Sequence, residues 1–214
     1  MTMYNYNFQL LGSNRNIGEK TKPKYMKESY ITARNDPRLW RYHANVRSME
    51  AYAEYITGKV LDIGCNHGAS TYWLRLFDNV TEVHGIDLNR ESLKHAKYNF
   101  SQFDRPFKFH CMNLVESKLD EKFDTITSFH ILEHIFKEDV DSFLRHSYEM
   151  LNENGYLIIG IPYERAYPDK CHVTFWNESS LSRAMEKAGF TTIECFKDDR
   201  FAEKNVLTGL FKKV

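Results

Sequence analysis

No run in the 214 residues is apolar over the length of a membrane span, so no transmembrane helix is expected. The segment Met1 to Leu10 lacks the apolar core of a secretory signal, being aromatic and polar, and a cytoplasmic protein is expected. Cysteine is scarce and scattered: Cys65, Cys111, Cys171 and Cys195 form no CxxC pair. That spacing argues against a zinc knuckle or a disulfide frame and suits free thiols in a reducing compartment. Neither sign of charge is in excess, with 29 Lys+Arg against 29 Asp+Glu. The balance argues against a chain built to bind nucleic acid throughout and leaves room only for a local basic patch. Repeats and low-complexity tracts are absent too. What is present is ordinary globular composition, 42% hydrophobic and 27% charged, enough for one compact domain with an extension.

Residues 1–34 show no sustained periodicity and read as a loosely packed arm, with Tyr4, Tyr6, Phe8, Tyr25 and Tyr30 among Lys20, Lys22, Lys24 and Lys27. Residues 35–58 read as one amphipathic helix and a candidate substrate cap. Asp36 can cap its start, Pro37 suits its first turn, and Gly58 is the expected stop. Leu39, Tyr42, Val46, Met49, Ala53 and Ile56 mark its apolar stripe, while Arg34, Arg38 and Arg41 read as a solvated face.

From Lys59 to the end (59–214) strand and helix patterns alternate. Strands are expected at Val60–Ile63, Val83–Ile86, Phe107–Cys111, Phe123–Phe129, Tyr156–Ile161, Phe190–Phe196 and Val206–Phe211. Helical spacing joins Ala69, Tyr72, Trp73, Leu76 and Phe77. It recurs in Arg90–Phe100 behind Asn89, in Val140 to Leu151 ending near Gly155, and in Leu181–Ala188 before Gly189. Such alternation predicts an α/β three-layer sandwich around a seven-stranded, mostly parallel sheet, with the last strand antiparallel. Ligands of such sheets bind where the strands end at their carboxyl side.

The strongest local signal is Val60-Leu61-Asp62-Ile63-Gly64-Cys65-Asn66-His67-Gly68, which ends a strand and opens a helix. Glycine lets the backbone turn sharply and approach a ligand closely. The next strand ends in Gly85-Ile86-Asp87, where a carboxylate can accept both hydroxyls of an adenosine ribose. A dinucleotide fingerprint needs GxGxxG, and this loop lacks its third glycine. Asp62 beside the loop would repel a pyrophosphate and suits an ammonium group instead.

On these residues the sequence resembles the class I S-adenosylmethionine-dependent methyltransferases, which have a Rossmann-like fold. The resemblance implies S-adenosylmethionine as cofactor, contacted by Asp62, Gly64, Cys65, Asn66 and Gly68. Asn66 stands where that family usually has glycine, and asparagine tolerates the left-handed backbone. The resemblance further implies Asp87 on the ribose, Leu88 and Leu114 near the adenine, and Asn113 on its amino group. Asp124 through His134, His172 to Trp176, and Leu181 to Phe190 are similar to the ubiquinone-biosynthesis-like branch (methyltransferase domain 11/23 type).

That branch implies methylation of oxygen or nitrogen on a small molecule or saccharide. An oxygen acceptor must lose a proton, and His130, after the fourth strand and beside the cofactor, is the first candidate base; His172 is the second. Glu133, His134 and His172 also resemble the metal site of RNA 3′-terminal 2′-O-methyltransferases, but His130 stands where that family has a glutamate. No metal is therefore expected. A cofactor-binding protein without transfer activity is the remaining alternative.

Overall fold

The computed structural model describes residues 40–101, 107–166, 169–198 and 205–214. The arm 1–34, the expected cap at Asp36 and Pro37, and Arg34 and Arg38 lie outside the described residues, as do the side chains of Tyr42 and Arg41.

Among the described residues five α-helices and seven strands follow in order: α1 Trp40–Ala51, β1 Gly58–Ile63, α2 Ala69–Leu74, β2 Val80–Asp87, α3 Arg90–Phe100, β3 Phe107–Cys111, β4 Phe123–Phe129, α4 Val140–Met150, β5 Leu151–Pro162, α5 Glu178–Lys187, β6 Phe190–Asp198 and β7 Val206–Lys213. The strands form one sheet in the order β3-β2-β1-β4-β5-β7-β6. Each pairing is parallel except those of β7, which runs antiparallel to both β5 and β6. The expected sheet and its reversed last strand are therefore present. No helix among the described residues is long and apolar enough to cross a membrane.

Successive side chains of a strand point to opposite faces, and the two apolar clusters follow that period. Val60, Val83, Phe109, Phe129, Ile158 and Leu210 pack on one face with α1, α2 and α3. Leu61, Ile86, Ile126, Leu157, Ile159 and Phe211 pack on the other with α4 and α5. Each buried Leu, Ile or Phe contributes about 1.5–3 kcal/mol, so two apolar faces are what hold the three layers together.

Two expected boundaries are corrected. Gly58 does not stop the first helix, which ends at Ala51 and is followed by a short 3-10 turn, Ala53–Tyr55. Gly58 instead opens β1 in the left-handed region (φ +64°), where a Cβ would collide with the Asp124 side chain. Gly155 likewise does not end α4. The chain passes straight from Met150 into β5, and Gly155 is buried inside that strand at a register shift against β4. The helix α2 is also shorter than its periodicity suggested, with Leu76 beyond it and exposed.

Candidate functional site

The inner strands β1, β2 and β4 deliver their carboxyl ends to one cavity of about 380 Å3. The loop after β1 forms its floor. Gly64 N–H and Cys65 N–H both donate to the Ile86 carbonyl, at 2.8 and 3.0 Å, which ties the loop to β2. Gly64 and Asn66 have φ of +73° and +50°, so the asparagine does take the left-handed backbone expected of it. Gly68 caps α2 and closes the loop by donating to the Cys65 carbonyl at 2.8 Å.

Asp87 braces this loop from β2. One carboxylate oxygen accepts the Asn66 N–H at 2.8 Å and the other accepts the Asn89 N–H at 2.7 Å. Asn89 in turn caps α3 by accepting from Glu91 N–H and Ser92 N–H. Each Asp87 oxygen keeps a further lone pair for a ligand.

Asp62 is buried in β1, and its two oxygens accept the Thr71 hydroxyl at 2.7 Å and the Thr127 hydroxyl at 3.1 Å. Burial pushes its pKa up to about 7; the two hydroxyls pull the other way, and the nearby Asp87 charge adds to the rise. The folded chain therefore holds a proton there that the unfolded chain releases near pH 4. Stability should fall as pH rises from about 4 to 7, by up to about 4 kcal/mol in total. Urea unfolding at pH 5 and pH 8 checks this: Asp62→Asn should lose most of the slope, and an unchanged slope would assign it elsewhere.

A smaller cavity of about 110 Å3 adjoins the first and shares Gly64, Asp87 and Ile131 with it. Leu88, Asn113 and Leu114 line it, and Leu88 is exposed. Asn113 is pinned in a turn: its Oδ1 accepts the Val115 N–H at 3.1 Å, and its Nδ2 donates to Glu116 at 2.9 Å.

The opposite wall begins at His130, the residue after β4. Its backbone is left-handed (φ +56°), and its N–H donates to the Gly160 carbonyl at 2.7 Å. The chain then makes a 3-10 turn, Leu132–His134. Segment 171–176 folds back on this turn: Val173 N–H and Thr174 N–H donate to the Glu133 carbonyl at 2.8 and 3.2 Å, and the Thr174 hydroxyl donates to the Leu132 carbonyl at 2.8 Å. That return brings His172 into the cavity, its ring edge-on to His134 at 4.9 Å between centroids. Atoms of His134, Cys171 and His172 able to ligate a metal lie within 4.8 Å of one another.

Of the residues singled out from sequence, Asp62, Gly64, Cys65, Asn66, Asp87, His130 and His172 line the larger cavity, while Leu88, Asn113 and Leu114 line the smaller. Gly68 lines neither and acts through the turn it closes. Cys65 is buried with its thiol packed toward Gly85, and burial raises its pKa well above the ordinary value.

Asn45, Phe129 and Ser70 also line the cavity and were not expected there. Asn45 shares one face of α1 with Ser48 and Met49, both buried, and buried Tyr52 continues the spacing just past the helix end. A polar residue on a buried stripe was the available signal.

Residues 34–195 match the model of a family described as a methyltransferase domain. The chain belongs to this family. The cofactor of such methyltransferases is S-adenosylmethionine. Among curated relatives, the chain is 34% identical over 106 residues to the ubiquinone biosynthesis O-methyltransferase of Pelagibacter ubique, covering 47% of this chain and 40% of that protein. It is 28% identical over 119 residues to that of Bradyrhizobium diazoefficiens, covering 56% and 44%. The matched stretch thus spans less than half the length of these relatives. Among solved structures, the N-methyltransferase NodS from Bradyrhizobium japonicum WM9 superposes with a TM-score of 0.68 at 16% identity, covering 84% of this chain and 98% of that one. A second NodS structure is in complex with S-adenosyl-l-homocysteine. At that identity the likeness concerns the fold of the methyltransferase, which is the Rossmann-like sandwich expected from its sequence.

Proposed function

We propose that this methyltransferase transfers the methyl group of S-adenosylmethionine to an oxygen or nitrogen of a small-molecule or saccharide acceptor. The observation that carries the reading is the meeting of Asp62, loop residues 64–67, Asp87 and His130 in one cavity at the carboxyl ends of the strands. When bound, the sulfonium supplies an electrophilic methyl group.

The residues fit that cofactor. The open lone pairs of Asp87 suit the two ribose hydroxyls, and Leu88, Asn113 and Leu114 offer an apolar slot with one amide for the adenine. Asp62, half ionised near neutrality, gains a partner when an ammonium group approaches the loop. His130 then holds or accepts the acceptor's proton, with His172 as the alternative base. The cavity walls contribute alignment of donor and acceptor. Residues 59–214 form the catalytic domain in this reading. Asn45 on α1 supports the assignment of 35–58 as a cap over the acceptor. Incubating the protein with labelled methyl donor and a metabolite extract tests the proposal, and failure to label any metabolite while the cofactor binds would favour a binding protein without transfer.

No metal is needed in this reading. Turnover should survive EDTA unchanged. Loss on chelation, with recovery on adding Mn2+, would make the cluster of Glu133, His134 and His172 the metal site. It would then move the RNA-end reading to first place.

A further inference from the structure

Three carboxylates line the larger cavity, and two of them are committed. Asp62 accepts two threonine hydroxyls, and Asp87 accepts two backbone N–H groups. The third, Glu133, is only 2% exposed, and neither of its carboxylate oxygens accepts a hydrogen bond among the described residues. Two imidazoles stand beside Oε1: His130 Nδ1 at 3.4 Å and His134 Nε2 at 3.9 Å. No lysine or arginine is among the described residues lining the cavity. A buried carboxylate whose oxygens accept no hydrogen bond is costly to the fold, and in a cavity it is a natural group for a ligand to complete.

We propose that the acceptor is an amine that enters as its ammonium ion and pairs with Glu133. The inference rests on the methyltransferase reading of the cavity and narrows it to nitrogen. A hydroxyl acceptor could donate only one hydrogen bond to Glu133, and no lysine or arginine among the described lining residues would join it there. An ammonium offers three donors and the opposite charge, and charge-assisted pairs of this kind are about twice as strong as neutral ones. An anionic acceptor is disfavoured by all three carboxylates.

The chemistry balances. The ammonium gives one proton to His130, and the imidazolium so formed faces Glu133 at the same 3.4 Å. The freed nitrogen lone pair forms the N–C bond to the methyl group as the C–S bond of the donor breaks. The products are a methylated ammonium and S-adenosylhomocysteine.

The test uses benzylamine and benzyl alcohol, matched in size, titrated by calorimetry into the full chain saturated with S-adenosylhomocysteine. The amine should bind roughly tenfold or more tighter than the alcohol. In Glu133→Gln, with unchanged thermal melting, that preference should vanish. Equal affinity in the wild-type chain, or no detectable binding of either probe, overturns the proposal without any variant having to fold. A third arm titrates MnCl2 alone. Tight binding that is lost in Glu133→Gln would give the carboxylate to a metal ion and also overturn the proposal. Failure of S-adenosylhomocysteine itself to bind is a different result, which removes the methyltransferase reading of the cavity and the amine proposal with it.

Discussion

Asp87→Ala is expected to weaken S-adenosylmethionine binding by about 2–3 kcal/mol, roughly 30- to 150-fold. Two losses combine. The ribose loses a charged acceptor for its hydroxyls, and the loop loses its brace, because Asn66 N–H and Asn89 N–H both end on this carboxylate. The second loss loosens the left-handed turn at Asn66 and the start of α3 together. Asp87→Asn separates the contributions. An amide still offers one acceptor, so the loop should be partly held while the charge is gone, and the loss should be intermediate. Calorimetry with S-adenosylhomocysteine avoids turnover during the measurement. Unchanged affinity in the alanine variant would put Asp87 outside the site and undo the cofactor geometry proposed for this cavity.

Elements with a local chemical signal were legible in the sequence. Asn89 before an apolar stripe predicts a helix over Arg90–Phe100, and the helix has those bounds because Asn89 accepts from the two orphan amides of its first turn. Apolar runs flanked by turn residues predict β3 and β4 to the residue. Glycine was less reliable. At Gly189 it ends a helix, with φ +100°, but at Gly58 and Gly155 it admits close approach of the Asp124 side chain and the Asp124 carbonyl within the sheet. Sequence alone does not distinguish a glycine that stops an element from one that makes room for a neighbour.

The site divides in the same way. Asp62 and Asp87 end adjacent strands next to glycine turns, so their meeting follows from strand order. The isolation of the Glu133 carboxylate does not. It depends on where segment 171–176 returns, and its backbone ties to Leu132 and Glu133 come from residues far along the chain. Those ties satisfy carbonyls and leave both carboxylate oxygens without a hydrogen bond, which no periodicity encodes.

His130→Ala should reduce turnover by roughly 10²–10⁴-fold while leaving S-adenosylmethionine affinity near that of the wild type. The residue sits directly after β4, with its side chain in the cavity and only 14% exposed. Its left-handed backbone costs about 1–2 kcal/mol for a residue with a Cβ. The hydrogen bond from its N–H to the Gly160 carbonyl helps hold that conformation, and through it the direction of the ring. A strained residue aimed into a cavity is a reasonable place to look for function. The backbone strain also supplies a control. Asparagine tolerates the left-handed region better than alanine, so His130→Asn should fold at least as well yet lack a base. His130→Gln adds length: an amide can orient the acceptor but hardly accept its proton. If Gln and Asn both fall as far as Ala, proton transfer is the function of the ring. If Gln restores much of the rate, orientation is. Near-wild-type turnover in His130→Ala at saturating acceptor would remove His130 from the reaction and leave His172, buried on the same wall, as the base to test next.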